Sequence, residues 1–137
     1  MKLKQLLIES VVDTLNKKYK KASSSVSGLK VRSGVPNTSS ISASLYDYEI
    51  LKNIREFPMK ELNSNPKALF YAKNDLDHVR NLAEQIKQSR EISPLIIVID
   101  DEGPYVLEGA HRLGALHIVG VKSFPAMVVL DLESLLA

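Results

Sequence analysis

A short apolar strand, residues 105–107, runs through a glycine directly into a helix. Glu108 ends the strand, and Gly109 precedes a helix whose first turn contains His111 and Arg112. Glycine adopts backbone conformations that are closed to residues with a Cβ. The free N–H groups and the dipole at a helix start favour an anion. Taken alone, the pattern fits either an ordinary strand–turn–helix junction or a phosphate-binding turn.

Two longer apolar stretches flank this turn, residues 94–99 before it and residues 124–130 after it. Short apolar runs of this kind predict β-strands. Residues 95–107 predict a hairpin that turns at residues 100–104, where a Gly-Pro pair follows three acidic residues. Consecutive carboxylates on an exposed turn point apart, so we expect no metal site there.

The best-defined helix begins at Asp75, with Asp75 or Asn74 as its N-cap. Its apolar stripe comprises Leu76, Val79, Leu82, Ala83 and Ile86. A second, polar face is formed at three- and four-residue spacings by His78, Asn81 and Gln85. From the residues alone, this face is either solvated or a ligand-binding face.

In order and spacing, residues 75–129 resemble the ParB/sulfiredoxin superfamily. The shared core has a helix, an apolar strand led by proline, a hairpin, a Gly-x-His/Arg-Arg helix and a closing Ile-Pro-x-x-Val strand. The matching stretches of this chain are residues 75–79, 93–98, 108–116 and 124–129. The resemblance implies a compact α/β (α+β) domain with a small mixed sheet and a nucleotide pocket.

The resemblance also implies site residues. The turn residues that would hold nucleotide phosphates are Gly109, Ala110, His111 and Arg112. Sulfiredoxin-like members carry basic or hydroxyl residues on the preceding helix, where this chain has His78, Asn81 and Gln85. Sulfiredoxins place their catalytic thiol between the glycine and the histidine, and Ala110 cannot serve as that nucleophile.

Composition limits the remaining possibilities. The chain has 137 residues, of which 45% are hydrophobic, which suffices for one domain with a real core. The absence of cysteine excludes disulfides, thiolate metal sites and thiol catalysis. The formal net charge of +2 is small for a duplex-binding domain, so we expect only weak nucleic-acid binding.

The N-terminal part differs from the rest in its pattern. Apolar residues recur at helical spacing over residues 2–20, and four lysines lie within residues 17–21. Residues 22–44 are rich in serine and turn formers, which predicts a linker or a flap over the site. We therefore divide the chain into an N-terminal helix and linker, residues 1–44, and a ParB/sulfiredoxin-like domain, residues 45–137.

The start of that domain completes the expected order of elements. Residues 44–51 predict a helical turn or short helix with Ser44 as N-cap, and residues 54–62 predict a strand. Gly120 is expected to end the helix that begins near Ala110. No apolar run is long enough to span a membrane, and we expect a soluble, cytoplasmic protein.

Two functions remain open. One is a nucleotide-dependent phosphotransferase or nucleotidase that uses ATP or another NTP or NDP with Mg²⁺ and acts on a small molecule or a protein, with Glu108 as base or metal ligand. The other is a non-enzymatic ParB-like nucleotide switch or DNA-associated regulatory module. In either case we expect Arg112→Ala to weaken nucleotide binding and leave the fold intact.

Overall fold

The computed structural model describes residues 2–34, 36–63 and 75–137. The helices in these ranges are α1 (Lys2–Lys18), α2 (Ser39–Ser44), α3 (Met59–Asn63), α4 (Leu76–Ser89), α5 (Ala110–Val119) and α6 (Leu132–Leu135). The strands are β1 (Ser25–Val26), β2 (Leu29–Val31), β3 (Tyr48–Ile50), β4 (Arg55–Pro58), β5 (Glu91–Ile92), β6 (Leu95–Asp100), β7 (Gly103–Glu108) and β8 (Ser123–Asp131). No helix in the described ranges has the length and apolar character needed to cross a membrane.

The main sheet has five strands and is mixed, as the sequence predicted. β6 pairs in parallel with β8 and antiparallel with β7. On its other side β8 is antiparallel to two strands, β4 along its first half and β3 along its second half. β8 therefore holds the sheet together, because three separate strands bond to it.

Strand β6 is covered on both faces, which explains its continuous apolar sequence. Leu95, Ile97 and Ile99 belong to the larger core, together with buried side chains of α4 and α5. Ile96 and Val98 point to the opposite face and join a smaller cluster that contains Ile41 of α2. Alternate residues of a strand face opposite sides, so a parallel strand between two covered faces needs apolar residues throughout.

Helices α4 and α5 both end in a left-handed residue. Gly120 caps α5 with φ 86° and donates its N–H to the carbonyl of Leu116, which confirms the predicted end of that helix. Arg90 caps α4 with φ 58°, an uncommon conformation for a residue with a side chain.

Helix α1 is anchored in the main core by Tyr19, the residue that follows it by one position. Tyr19 is only 2% exposed and stacks on Phe57 of β4, with 4.7 Å between the ring centroids. Its phenol O–H donates to Oε2 of Glu61 at 2.5 Å. The N-terminal helix thus shares the hydrophobic core of the sheet.

A buried arginine, Arg55 of β4, binds the C-terminal end of α1. Its Nη1 donates to the carbonyl of Tyr19 at 3.0 Å, and its Nη2 donates to Oδ1 of Asn16 at 2.6 Å. The last carbonyls of a helix lack partners and carry partial negative charge, so a guanidinium stabilises them. Two lysines near this helix end form ion pairs with carboxylates, Lys18 with Glu61 and Lys20 with Glu56.

Residues 22–44 differ from the predicted linker. They form β1, β2 and α2, and β2 runs parallel to β5, with Lys30 opposite Glu91. Leu29 is 1% exposed, so this segment buries apolar side chains of its own. The proposed division of the chain at residue 44 stays a prediction.

Two further elements were predicted incorrectly. Residues 48–50 form strand β3 instead of a helical turn, because they pair with the second half of β8. The predicted strand over residues 54–62 ends at Pro58, and α3 begins at Met59. For β3, pairing with a distant strand has overridden the local sequence pattern. Asn74, the alternative N-cap predicted for α4, lies outside the described residues.

The hydrogen bond between Tyr19 and Glu61 leads to a first prediction. Tyr19→Phe should keep the ring stacking and lower the free energy of unfolding at pH 7 by about 1.5–3 kcal/mol, the range for a hydrogen bond to a charged group. Burial raises the pKa of Tyr19, and the hydrogen bond and charge of Glu61 raise it further. The fold therefore favours the neutral phenol, and this contribution is lost as pH rises above the ordinary value of about 10.

Urea unfolding between pH 7 and 11 tests this prediction. The wild type should lose more stability at alkaline pH than Tyr19→Phe does. Tyr46→Phe is the control, because Tyr46 is 96% exposed. Parallel pH profiles for wild type and Tyr19→Phe would contradict the proposed role of Glu61.

Candidate functional site

The turn between β7 and α5 depends on Gly109 for two reasons. Gly109 has φ 105°, a left-handed conformation that residues with a Cβ rarely adopt. A Cβ at this position would also lie 2.8 Å from Cγ of Leu95, which is fully buried. Glycine therefore allows α5 to start directly against β6.

The first turn of α5 meets the polar face of α4 through two histidines. The rings of His111 and His78 lie edge to face, with 5.0 Å between their centroids. Nε2 of His111 is 3.0 Å from Oδ2 of Asp75, and the contact is an ion pair when the imidazole is protonated. The structure thus brings together two predicted site residues from different helices.

Asp75 was predicted as a cap for α4, and that prediction is wrong for its side chain. Asp75 occupies the N-cap position, but its carboxylate forms no capping hydrogen bond. The carboxylate contacts His111 instead, so it orients a residue of the candidate site. No local sequence pattern indicated this contact, because Asp75 and His111 are 36 residues apart and lie on different helices.

Arg112 lies behind the turn and binds the start of β6. Its Nη1 donates to the carbonyls of Ser93 at 3.0 Å and Pro94 at 3.1 Å. Burial lowers the pKa of Arg112, and the nearby charge of Glu108 opposes this shift. Arg112→Ala removes these two hydrogen bonds between α5 and the β5–β6 connection, so it should also lower the free energy of unfolding. That the variant still folds stays a prediction.

A small cavity of about 90 Å³ lies beside Arg112. It is lined from α4 by Gln85 and Ser89 and from the β5–β6 connection by Ser93. Arg32, which follows β2, also lines it. Arg32 was not predicted as a site residue. It reaches the cavity through the parallel pairing of β2 with β5, and pairing between distant strands leaves no local sequence pattern.

The remaining predicted residues occupy nearby positions. Asn81 lies between His78 and Gln85 on the same helix, and its side chain is exposed. Ala110 is the first residue of α5. Glu108 is the last residue of β7, opposite Ile96, and it is close enough to act electrostatically on Arg112. In the part of the chain that the structure describes, no group of three or more His, Cys, Asp or Glu residues could hold a metal ion.

A larger open cavity, of about 560 Å³, lies at the opposite end of α5. It is lined by Lys60, His117, Gly120 and Lys122, among others, and contains none of the predicted site residues. Cavity size would not select the region between α4 and the start of α5, but the convergent polar side chains lie there. We therefore take that region as the candidate site, since convergent polar groups are what fix a ligand in a binding site.

The fold and site define a mixed α/β domain in which a glycine turn presents a His-Arg pair to the polar face of a neighbouring helix. The family model of the ParB N-terminal domain matches residues 46–136, and the chain belongs to this family. Among solved structures, sulfiredoxin from Arabidopsis thaliana is 23% identical, with a TM-score of 0.42, over 55% of this chain and 82% of that chain. The search of curated proteins found no match.

The geometry of the turn predicts that substitution of Gly109 lowers the free energy of unfolding more than substitution of Gly120, the glycine that ends α5. Gly120→Ala should cost about 1 kcal/mol of unfolding free energy, because Gly120 also has a positive φ but a Cβ there would meet nothing within 4 Å. Gly109→Ala adds a collision with Leu95, so its loss should be about 2–4 kcal/mol. Urea unfolding of both variants measures the difference, and equal losses would show that Leu95 yields without cost.

Proposed function

We propose that this protein binds a nucleotide, ATP or another NTP or NDP with Mg²⁺, through its phosphates at the surface between α4 and the start of α5. The observation that carries the proposal is the convergence of polar side chains from the two helices. His78 lies against His111. Gln85 and Arg112 line the same cavity. Imidazole, amide and guanidinium groups all donate hydrogen bonds to phosphate oxygens.

The backbone at the glycine turn supports the same ligand. The first N–H groups of α5, beginning at Ala110, have no partners within the helix, and the helix dipole favours negative charge there. Gly109, which has no side chain, leaves the space just before these groups open. Asp75 contacts the His111 ring and restricts its orientation, so less side-chain entropy is lost when a phosphate binds.

For activity, the leading proposal is phosphoryl transfer or nucleotide hydrolysis with Glu108 as the reactive carboxylate. Glu108 is delivered by the end of β7, next to Gly109 and within electrostatic reach of Arg112. A carboxylate in this position can orient Mg²⁺ or accept a proton from the hydroxyl group of a small-molecule or protein substrate. Because Glu108 acts electrostatically on Arg112, a purely structural role as the partner of this guanidinium is an equal alternative.

A nucleotide switch associated with DNA is the second candidate, and membership of the ParB N-terminal domain family favours it. Such binding would be weak and dominated by phosphate contacts, because the net charge is only +2. Lys17, Lys18, Lys20 and Lys21 are all exposed at the anchored end of α1, and two of them, Lys18 and Lys20, pair with carboxylates. Because Tyr19 belongs to the core, a deletion of residues 1–22 would remove part of the fold together with these lysines.

Gln85 offers a sharp test of nucleotide binding because its side chain is exposed and lines the cavity. Gln85→Ala should weaken ATP binding roughly tenfold, the loss of one hydrogen bond to a charged group. Gln88→Ala is the matched control, since Gln88 is an exposed glutamine of the same helix. Calorimetry with ATP and Mg²⁺ provides the affinities, and no binding by the wild type would remove the proposed function.

Glu108→Gln separates the two candidates. In an enzyme it should preserve nucleotide affinity and lower single-turnover phosphate release by roughly 10²–10⁴-fold, the usual contribution of a positioned acid–base group. In a switch, the wild type should bind nucleotide without release, and the substitution should change only stability through Arg112. Thermal unfolding measured on the same samples distinguishes a folded, inactive variant from a destabilised one.

A further inference from the structure

Arg32 reaches the candidate site from outside the family-matched residues. Strand β2 lies on β5, and the backbone N–H of Arg32 donates to the carbonyl of Ile92 at 2.9 Å. This bond places the Arg32 side chain at the cavity that Gln85 and Arg112 also line. A second guanidinium therefore stands at the same small cavity as Arg112.

The cavity has the size and chemistry of an oxyanion site. Its volume of about 90 Å³ is far below the roughly 300–1,000 Å³ of pockets that enclose a whole drug-sized ligand, so it suits a single phosphate-sized group. Its donors come from Arg32, Gln85, Ser89, Ser93 and Arg112. The Ser89 hydroxyl oxygen accepts from the N–H of Glu91, which leaves its own hydrogen for a ligand.

Among the described residues that line the cavity, Glu91 carries the only carboxylate. Its Oε2 lies 3.1 Å from Nε of Arg32. The Arg32 side chain is 56% exposed and that of Glu91 36%, so the pair is partly solvated and its contribution to stability is small. An incoming anion would compete with Glu91 for the same guanidinium.

We propose that Arg32 and Arg112 form a subsite for one phosphate-sized oxyanion, with Glu91 as an internal competitor that occupies Arg32 when the anion is absent. The anion is either the terminal phosphate of a nucleotide, which rests on the function proposed above, or free inorganic phosphate. In the first case the remainder of the nucleotide extends from the cavity toward His78 and His111. The N-terminal segment then contributes directly to ligand selection.

The test uses the full chain and measures inorganic phosphate, ADP and ATP separately by calorimetry. Arg32→Gln should weaken phosphate binding about tenfold or more, and Arg32→Lys should retain part of the affinity because it keeps the charge. Lys30→Gln is the matched control, since Lys30 is an exposed cation of β2, two residues before Arg32, and does not line the cavity. Thermal unfolding verifies that each variant is folded.

Glu91→Gln discriminates competition from a merely structural ion pair. Releasing Arg32 should tighten phosphate binding severalfold, whereas loss of a structural pair would weaken it or leave it unchanged. If Glu91 acts through Arg32, its effect should be much smaller in the Arg32→Gln background, as a double-mutant cycle measures. An undiminished effect there would overturn the competitor role.

The nucleotide measurements separate failure of this inference from failure of the proposed function. ATP and phosphate binding that is unaffected by Arg32→Gln would overturn the subsite and leave nucleotide binding standing. Phosphate binding that depends on Arg32, with no affinity for ATP or ADP, would support the subsite and reject the nucleotide. No binding of phosphate or nucleotide by the wild type would refute both.

Discussion

The parallel pairing of β6 with β8 is the constraint on which the rest of the structure depends. Two parallel neighbours cannot be joined by a tight hairpin, so the chain must leave the sheet and return over one face. In this protein the connection first adds β7 beside β6, then leaves the sheet at Gly109 and returns to β8 through α5. The tight contact between Gly109 and Leu95 therefore belongs both to the packing of the crossover and to the position of His111 and Arg112.

The candidate site is assembled from segments that are distant in sequence. Helix α4 contributes His78 and Gln85, the crossover contributes His111 and Arg112, and β2 brings Arg32. Arg112 has two tasks, since its Nη1 binds backbone carbonyls while the guanidinium still borders the cavity. A ligand site that shares a residue with the framework is held in place by the same bonds that stabilise the fold.

The sequence predicted the parts of the fold whose cause is local or strongly periodic. The apolar strands β6 and β8, helix α4 and the Gly120 cap follow from residue patterns within each segment. Strands β3 and β2 depend on distant partners, β8 and β5, and short segments of this kind carry no periodic signal. The same difference applies to the site, because His78 and His111 fell on recognisable patterns, whereas the roles of Asp75 and Arg32 appear only through tertiary contacts.

Arg55 also determines where α1 can dock. The apolar face of α1, including Ile8, Val11 and Leu15, would tolerate a slip along the sheet, since hydrophobic contact is not directional. A slip of one helical turn, about 5.4 Å, would move the carbonyl of Tyr19 and the Asn16 amide away from Arg55. The guanidinium would then be a buried charge without partners, at a cost of several kcal/mol. Arg55 thus adds a directional constraint on the position of α1 to the anchoring that Tyr19 provides.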